Sequence, residues 1–375
     1  MKKMICVLLC AVLLMTGALA ENIEAKAVPG EKLGFELLRE IYAEGENSVL
    51  SPLSLVLALG MAAEGAQGET LAQLLTVLGT EEMDALAIVP EEIRDANAVF
   101  VQPGFPVLDD YRDALAEKYN PEWFEIDAKV VKRVNAWVKK NTDGLIEQLM
   151  SEAPAGDIAM LLINAVAMDA DWVLPFTKEG TYEEVFHAPS GDVNVDMMHQ
   201  TEYFHYQEVD GVQLIYLPYV NWNLGMWIAL PEAGGMDALL DRLAQEGMGW
   251  MMEGVQNTEV ILTMPKLDIS DSHSLVGLLK KLGLNLPFGD DADFSGISDV
   301  PLCIDEIIQK ARMQVDESGT KAAAATVVAM RCMAMAPGMK PEPVVMKLDR
   351  PYFYAITDSM SGAVCFTGVV ENPAV

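Results

Sequence analysis

An α+β fold is the class this sequence predicts, on three observations. Helical spacing of apolar residues dominates the early part of the chain, and strand-like runs dominate later. The two do not alternate regularly, as a doubly wound parallel sheet would require. No Pro/Gly/Ser-rich linker, internal repeat or low-complexity block interrupts the 375 residues, so residues 21–375 are read as one domain behind a separate N-terminal unit.

Glu31–Ala43 opens the series: Leu33, Leu37 and Ile41 recur every fourth residue, with Leu38 and Tyr42 beside them, as on an amphipathic helix. Ser54–Ala66 is largely apolar and reads as a buried helix, and Tyr111–Tyr119 and Val131–Asn141 also carry helical spacing. The period then shortens. Val212–Tyr219, Leu224–Leu230 and Glu259–Leu267 are rich in β-branched and aromatic residues bounded by Pro or Gly, as strands are. Ser274–Leu282 returns to helix.

The first 20 residues stand apart. Lys2 and Lys3 precede an apolar run from Met4 to Met15, and Gly17-Ala18-Leu19-Ala20 closes it, the pattern of a secretory signal peptide cut after Ala20. A membrane anchor is the alternative, but the run falls well short of the ~20 apolar residues a span needs. The expectation is a soluble, exported, extracellular chain with no membrane association. Asp and Glu number 56 against 25 Lys and Arg, a formal net charge of −31. Nucleic acid, heparin-like polyanions and anionic membranes all select basic patches, so this charge argues against them as partners. Lys129, Lys132, Arg133, Lys139 and Lys140 form the one basic cluster, read as the solvated face of a helix.

Of five cysteines, Cys6 and Cys10 fall in the leader; Cys303, Cys332 and Cys365 remain, too few and too odd in number for a disulfide framework. Cys365 sits in an apolar strand-like run and reads as core, whereas Cys332 reads as exposed and reactive. A simple leader, strong acidity and no framework disulfides point to a microbial source. The four histidines, His187, His199, His205 and His273, form no zinc motif, and no phosphate loop, dinucleotide fingerprint or nucleophile elbow occurs. No catalytic residue, metal ligand or cofactor is therefore assigned. A dispersed Ser/His/Asp triad stays open, because its members need not be neighbours in sequence.

Residues 315–328, Val-Asp-Glu-Ser-Gly-Thr-Lys-Ala-Ala-Ala-Ala-Thr-Val-Val, are the most informative stretch. Four alanines favour helix, but the segment ends in β-branched residues that favour strand. In a strand, Thr320, Ala322, Ala324 and Thr326 share one small, uncharged face able to slide between existing strands, with Ala323 and Ala325 on the other. The segment by itself is compatible with either.

This stretch resembles the reactive-loop hinge of the serpins, and further matches run in order along the chain. Asn47-Ser48-Val49-Leu50-Ser51-Pro52-Leu53-Ser54, Asn97-Ala98-Val99-Phe100-Val101, Val134-Asn135-Ala136-Trp137-Val138 and Asn164-Ala165 with Trp172 are similar to family motifs. So are Leu217-Pro218-Tyr219, Met264-Pro265-Lys266-Leu267, Ala292-Asp293-Phe294-Ser295-Gly296-Ile297, Asp349-Arg350-Pro351-Tyr352-Phe353-Tyr354 and Phe366-Thr367-Gly368. The resemblance implies a serpin fold: three β-sheets, eight or nine helices and an exposed reactive-centre loop spanning about 317–345. It implies a monomeric protein that traps serine proteases covalently and is not an enzyme. The alternative it leaves is a non-inhibitory serpin acting as a binding protein or chaperone.

By the same resemblance, Glu317, Gly319, Thr320, Ala322, Ala323, Ala324, Ala325 and Thr326 are the hinge, exposed before cleavage and buried as a strand afterwards. Gly319 is expected to permit the backbone change and Thr320 to be the first residue buried. Ser51, Ser54 and Asn164 resemble the polar cluster beneath the opening strands, with Gln309 in place of the family's usual histidine. Trp172 resembles the tryptophan at the point of first insertion, and Lys266 with Glu317 the ion pair that closes it. The family's Phe-Lys-Gly is Met168-Asp169-Ala170 here, a local departure. Fourteen residues on from Gly319 the scissile bond falls at Met333-Ala334, with Arg331 as the competing position. Counting back from Pro351 instead lands near Lys340, so the loop is about seven residues longer than usual. Met333 suits elastase-, chymotrypsin- or subtilisin-like pockets. The short stretch from Thr80 to Asn97 leaves little room for the heparin-binding helix of some animal relatives.

Overall fold

The computed structural model describes residues 28–90, 93–154, 158–220, 223–320 and 342–374. The fold is α+β, with three sheets and, among the described residues, eight α-helices. Helix Glu31–Ile41 buries Leu33, Phe35, Leu37 and Leu38 and is tied by Arg39 to Asp237 (3.1 Å) and Asp241 (2.6 Å) of helix Met236–Glu246. Helix Pro52–Ala63 runs through the core and is buried on nearly every side. It starts two residues earlier than its apolar spacing suggests. Ser51 caps it, its Oγ accepting from the Ser54 N–H (3.2 Å), and Pro52 occupies the first turn, where no intrahelical N–H is needed.

The largest sheet has nine strands, with Tyr352–Asp358, Val364–Val370 and Leu224–Pro231 buried at every position. The 19-residue strand Gly191–Val209 pairs successively with Thr181–Ala188, Gln256–Pro265 and Val212–Pro218. Apolar periodicity does not mark it, because it crosses from one packed face to another and exposes Glu, His and Asp residues along the way.

Two smaller sheets carry the functional argument. One has three strands, Glu122–Glu125, Arg94–Val101 and Met160–Ala167. The other has four, Leu267–Ser274, Ile308–Val315, Gly319–Thr320 and Ala170–Asp171. The expected strand Glu259–Leu267 is thus two strands meeting at a corner, Gln256–Pro265 in the large sheet and Leu267–Ser274 in the small one. The expected helix Ser274–Leu282 is correspondingly shorter, Val276–Lys281. Leu267 and Ile269 alternate with exposed Asp268 and Ser270, a short period-2 signal that stops where the helix begins.

Candidate functional site: a split sheet and its hinge

Strands Met160–Ala167 and Ile308–Val315 line one cavity but share no ladder; at its closed end Gly319–Thr320 pairs with Ile308–Val315 on one side and, on the other, with Ala170–Asp171, the short strand that follows Met160–Ala167. Between them lies a slot of ≈ 690 Å³ whose walls include Leu161, Ile163, Asn164, Gln309 and Ala311. Each wall is a strand edge, and such edges carry backbone N–H and C=O groups that pair readily with an added strand.

The closed end is built around Thr320. Val315 pairs with it on one side and Ala170 on the other, both antiparallel. Its hydroxyl shares a hydrogen bond with the Tyr219 hydroxyl (2.6 Å), and Tyr219 stacks on Trp172 at 4.5 Å with the rings 13° from parallel. Trp172 holds the hinge turn from both its nitrogens: its backbone N–H donates to the Ser318 carbonyl (2.8 Å) and its indole Nε1 to the Asp316 carbonyl (3.2 Å). Hinge residues Gly319 and Thr320 are therefore buried and paired in the structure, not exposed as expected. A small residue with one hydroxyl fits against the Tyr219–Trp172 stack and satisfies the tyrosine's polar end. At Gly319 φ is not positive, and the backbones approach closely: a Cβ there would collide with the Ala170 carbonyl and the Asp171 Cα.

Lys266 Nζ lies 3.1 Å from Glu317 Oε2. Burial would raise the Glu317 carboxyl, but hydrogen bonds from its own backbone N–H, from Thr181 and from Lys266 together hold it below the ordinary range.

Halfway down the slot, Gln309 grips the backbone of Ser51 with both ends of its amide. Its Nε2 donates to the Ser51 carbonyl (2.8 Å) and its Oε1 accepts from the Ser51 N–H (3.2 Å). The Ser51 hydroxyl donates to the Cys365 carbonyl (2.7 Å). Ser51, Ser54, Asn164 and Gln309 all line the slot. Asn164, however, bonds across to Asn97 (2.9 Å), and its buried Oδ1 has no partner among the described residues.

Ala322, Ala323, Ala324, Ala325, Thr326, Arg331, Met333 and Ala334 lie outside the described residues, as do Cys332 and the leader. Sequence reasoning missed Tyr219 and Asn97 as site residues. Both fall inside quoted motifs, but only the tertiary arrangement shows that one caps Thr320 and the other orients Asn164.

A sheet opened along its middle, with one end of the missing strand already seated, is built to accept a strand. Comparison with known proteins agrees. Residues 30–373 match the family described as serpin (serine protease inhibitor). The chain is 33% identical to an uncharacterized serpin-like protein of Thermococcus kodakarensis over 90% of this chain and 84% of that one. It is 31% identical to Serpin-Z1C of Triticum aestivum, over 87% of this chain and 90% of that one. Among solved structures, the thermophilic serpin tengpin in its native state superposes with a TM-score of 0.79 at 29% identity, covering 92% of this chain and 93% of that one.

Proposed function

The chain belongs to the serpin family, and from that premise we propose that it is a secreted suicide-substrate inhibitor of serine proteases. Serpins are protease inhibitors or binding proteins, not enzymes, and generally target serine proteases. The slot beside the hinge carries the reading. Thr320 sets a register on both walls at once, and each further loop residue steps one back along each wall. Six residues on, Thr326 falls level with both Gln309 and Asn164. Its hydroxyl then meets the Asn164 Oδ1, which has no partner among the described residues.

The cycle runs as follows. The target's serine oxygen attacks the Met333 carbonyl, the Ala334 amine leaves, and an acyl-enzyme remains. The freed loop enters the slot as a strand and carries the protease with it before deacylation. Met333 directs the inhibitor to elastase-, chymotrypsin- or subtilisin-like proteases; Arg331 is the trypsin-directed alternative. The leader pattern of residues 1–20 supports export, and the acidity supports a microbial extracellular setting. No described helix is long and apolar enough to cross a membrane.

The test incubates residues 21–375 with elastase-, chymotrypsin-, subtilisin- and trypsin-like proteases. An SDS-stable complex with release of a fragment beginning at Ala334 is expected. Loop cleavage without a complex in every case would move the protein to the non-inhibitory class of serpins.

A further inference from the structure

The two halves of the split sheet are joined over the slot by one short segment. Helix Val130–Asn141 gives way to two left-handed residues, Asp143 (φ 48°) and Gly144 (φ 80°), which turn the chain out of the helix. From that turn residues 143–150 run as a strap, and Ile146, Leu149 and Met150 line the slot.

An arginine from each half grips the strap. Arg94, on the three-stranded sheet, pairs with Asp143. Arg312, on the four-stranded sheet, donates from Nη1 to the Leu145 carbonyl (3.3 Å). Its Nε and Nη2 both donate to the Asp268 carboxylate (2.8 Å each), a fork that aims the third nitrogen at the strap. The two grips stand level. Arg94 pairs with Ala167, three residues before Ala170, and Arg312 lies three residues before Val315; Ala170 and Val315 are the two partners of Thr320.

Between the grips the strap plugs the slot. Leu145 and Ile146 close a cavity of ≈ 10 Å³ against Thr320, Ala167, Arg312 and Met313. That is about the space of one water, too little for another residue beyond Thr320. The strap is also bolted to its own helix. Asn135 Oδ1 accepts from the Leu149 and Met150 N–H groups (2.8 and 2.9 Å), and its Nδ2 donates to the Met150 carbonyl (2.8 Å). Strap and helix therefore move as one piece, and the two arginines fasten that piece to the two halves of the sheet.

We propose, resting on loop insertion as the function, that Arg94 and Arg312 set the rate of strand entry. Their grips on Asp143 and Leu145 must open before a strand can pass Thr320. They thereby decide how often the acyl-enzyme is hydrolysed before the protease is carried away, that is, how the protein divides between inhibitor and substrate. The side chains are 47% and 49% exposed at the Arg94–Asp143 pair and 30% exposed at Arg312, so each grip delays entry without forbidding it.

The experiment cleaves the loop with excess subtilisin, in the range where the observed rate no longer depends on protease concentration, and follows strand entry by tryptophan fluorescence. Trp137 on the strap's helix and Trp172 at the closed end of the slot are the reporters. Arg94→Gln and Arg312→Gln should each speed entry about two- to fivefold, as part-exposed ion pairs and charge-assisted bonds imply, and the double variant by about the product. Hydrogen exchange of residues 142–150 in the intact variants should quicken by a similar factor. Arg242→Gln breaks ion pairs to Asp210 and Glu246 far along the chain and should leave the entry rate alone. Equal acceleration there traces the effect to general loosening and overturns the proposal. A rise in Tm on cleavage, with entry in the double variant no faster than in the parent protein, overturns the role of the arginines and leaves the inhibitor reading standing. No rise in Tm on cleavage overturns both.

Discussion

Thr320 and Tyr219 decide what the hinge can do. The Thr320 side chain is buried in the native arrangement against a ring whose hydroxyl it satisfies. Thr320→Arg places an unpaired charge there, at a cost of several kcal/mol. The variant should be cleaved at the usual bond but give no SDS-stable complex; retained inhibition would refute the insertion mechanism. Tyr219→Phe leaves the Thr320 hydroxyl buried and unpaired, which costs about 1–3 kcal/mol. Hydrogen exchange at Gly319 and Thr320 should accelerate correspondingly, and unchanged exchange would mean the shared bond contributes nothing. The small character of Thr320 was legible in the sequence. Its partner was not, because Tyr219 is 101 residues away and reads there as one more aromatic in a strand.

At the scale of elements, the hinge turn is held by Trp172 on one side and the Lys266–Glu317 pair on the other. Glu317 sits below its ordinary pKa when folded, so its contribution is fully present above the unfolded value of about 4.3 and is lost as pH falls through the folded value. Exchange protection of residues 316–320 should hold from neutral pH to about 5 and weaken below it. In Glu317→Gln that pH dependence should disappear; a variant that still loosens with acid would place the titrating group elsewhere. The helices Glu31–Ile41 and Val130–Asn141 were readable because one continuous face of each is buried. Met160–Ala167 was not, since a strand flanking an open slot has partly exposed apolar residues and no clean alternation.

At the scale of the whole molecule, the proposed insertion implies an inserted state more stable than the native one with its open slot. Cleaving the loop should raise Tm by roughly 10 °C or more, since several kcal/mol at about 2 °C each for a long chain amounts to that. A calorimetric scan showing no rise would mean that no strand enters. The net charge of −31 adds diffuse self-repulsion, so raising NaCl from about 10 to 150 mM, which shortens the Debye length from ~30 to ~8 Å, should raise Tm of the uncleaved protein. A flat response would mean the acids are already neutralised by their partners. Composition, motif order and the small-residue hinge determined the fold class, the family resemblance and the segment proposed to insert, because these depend on which side chains can be buried at each position. Only the tertiary structure decided that the hinge is already seated by one residue pair, that Gly319 answers to close packing, and that Gln309 and Asn164 face one slot. Those facts depend on which strands fail to pair, and pairing between segments some 150 residues apart is set by the packing of the whole core.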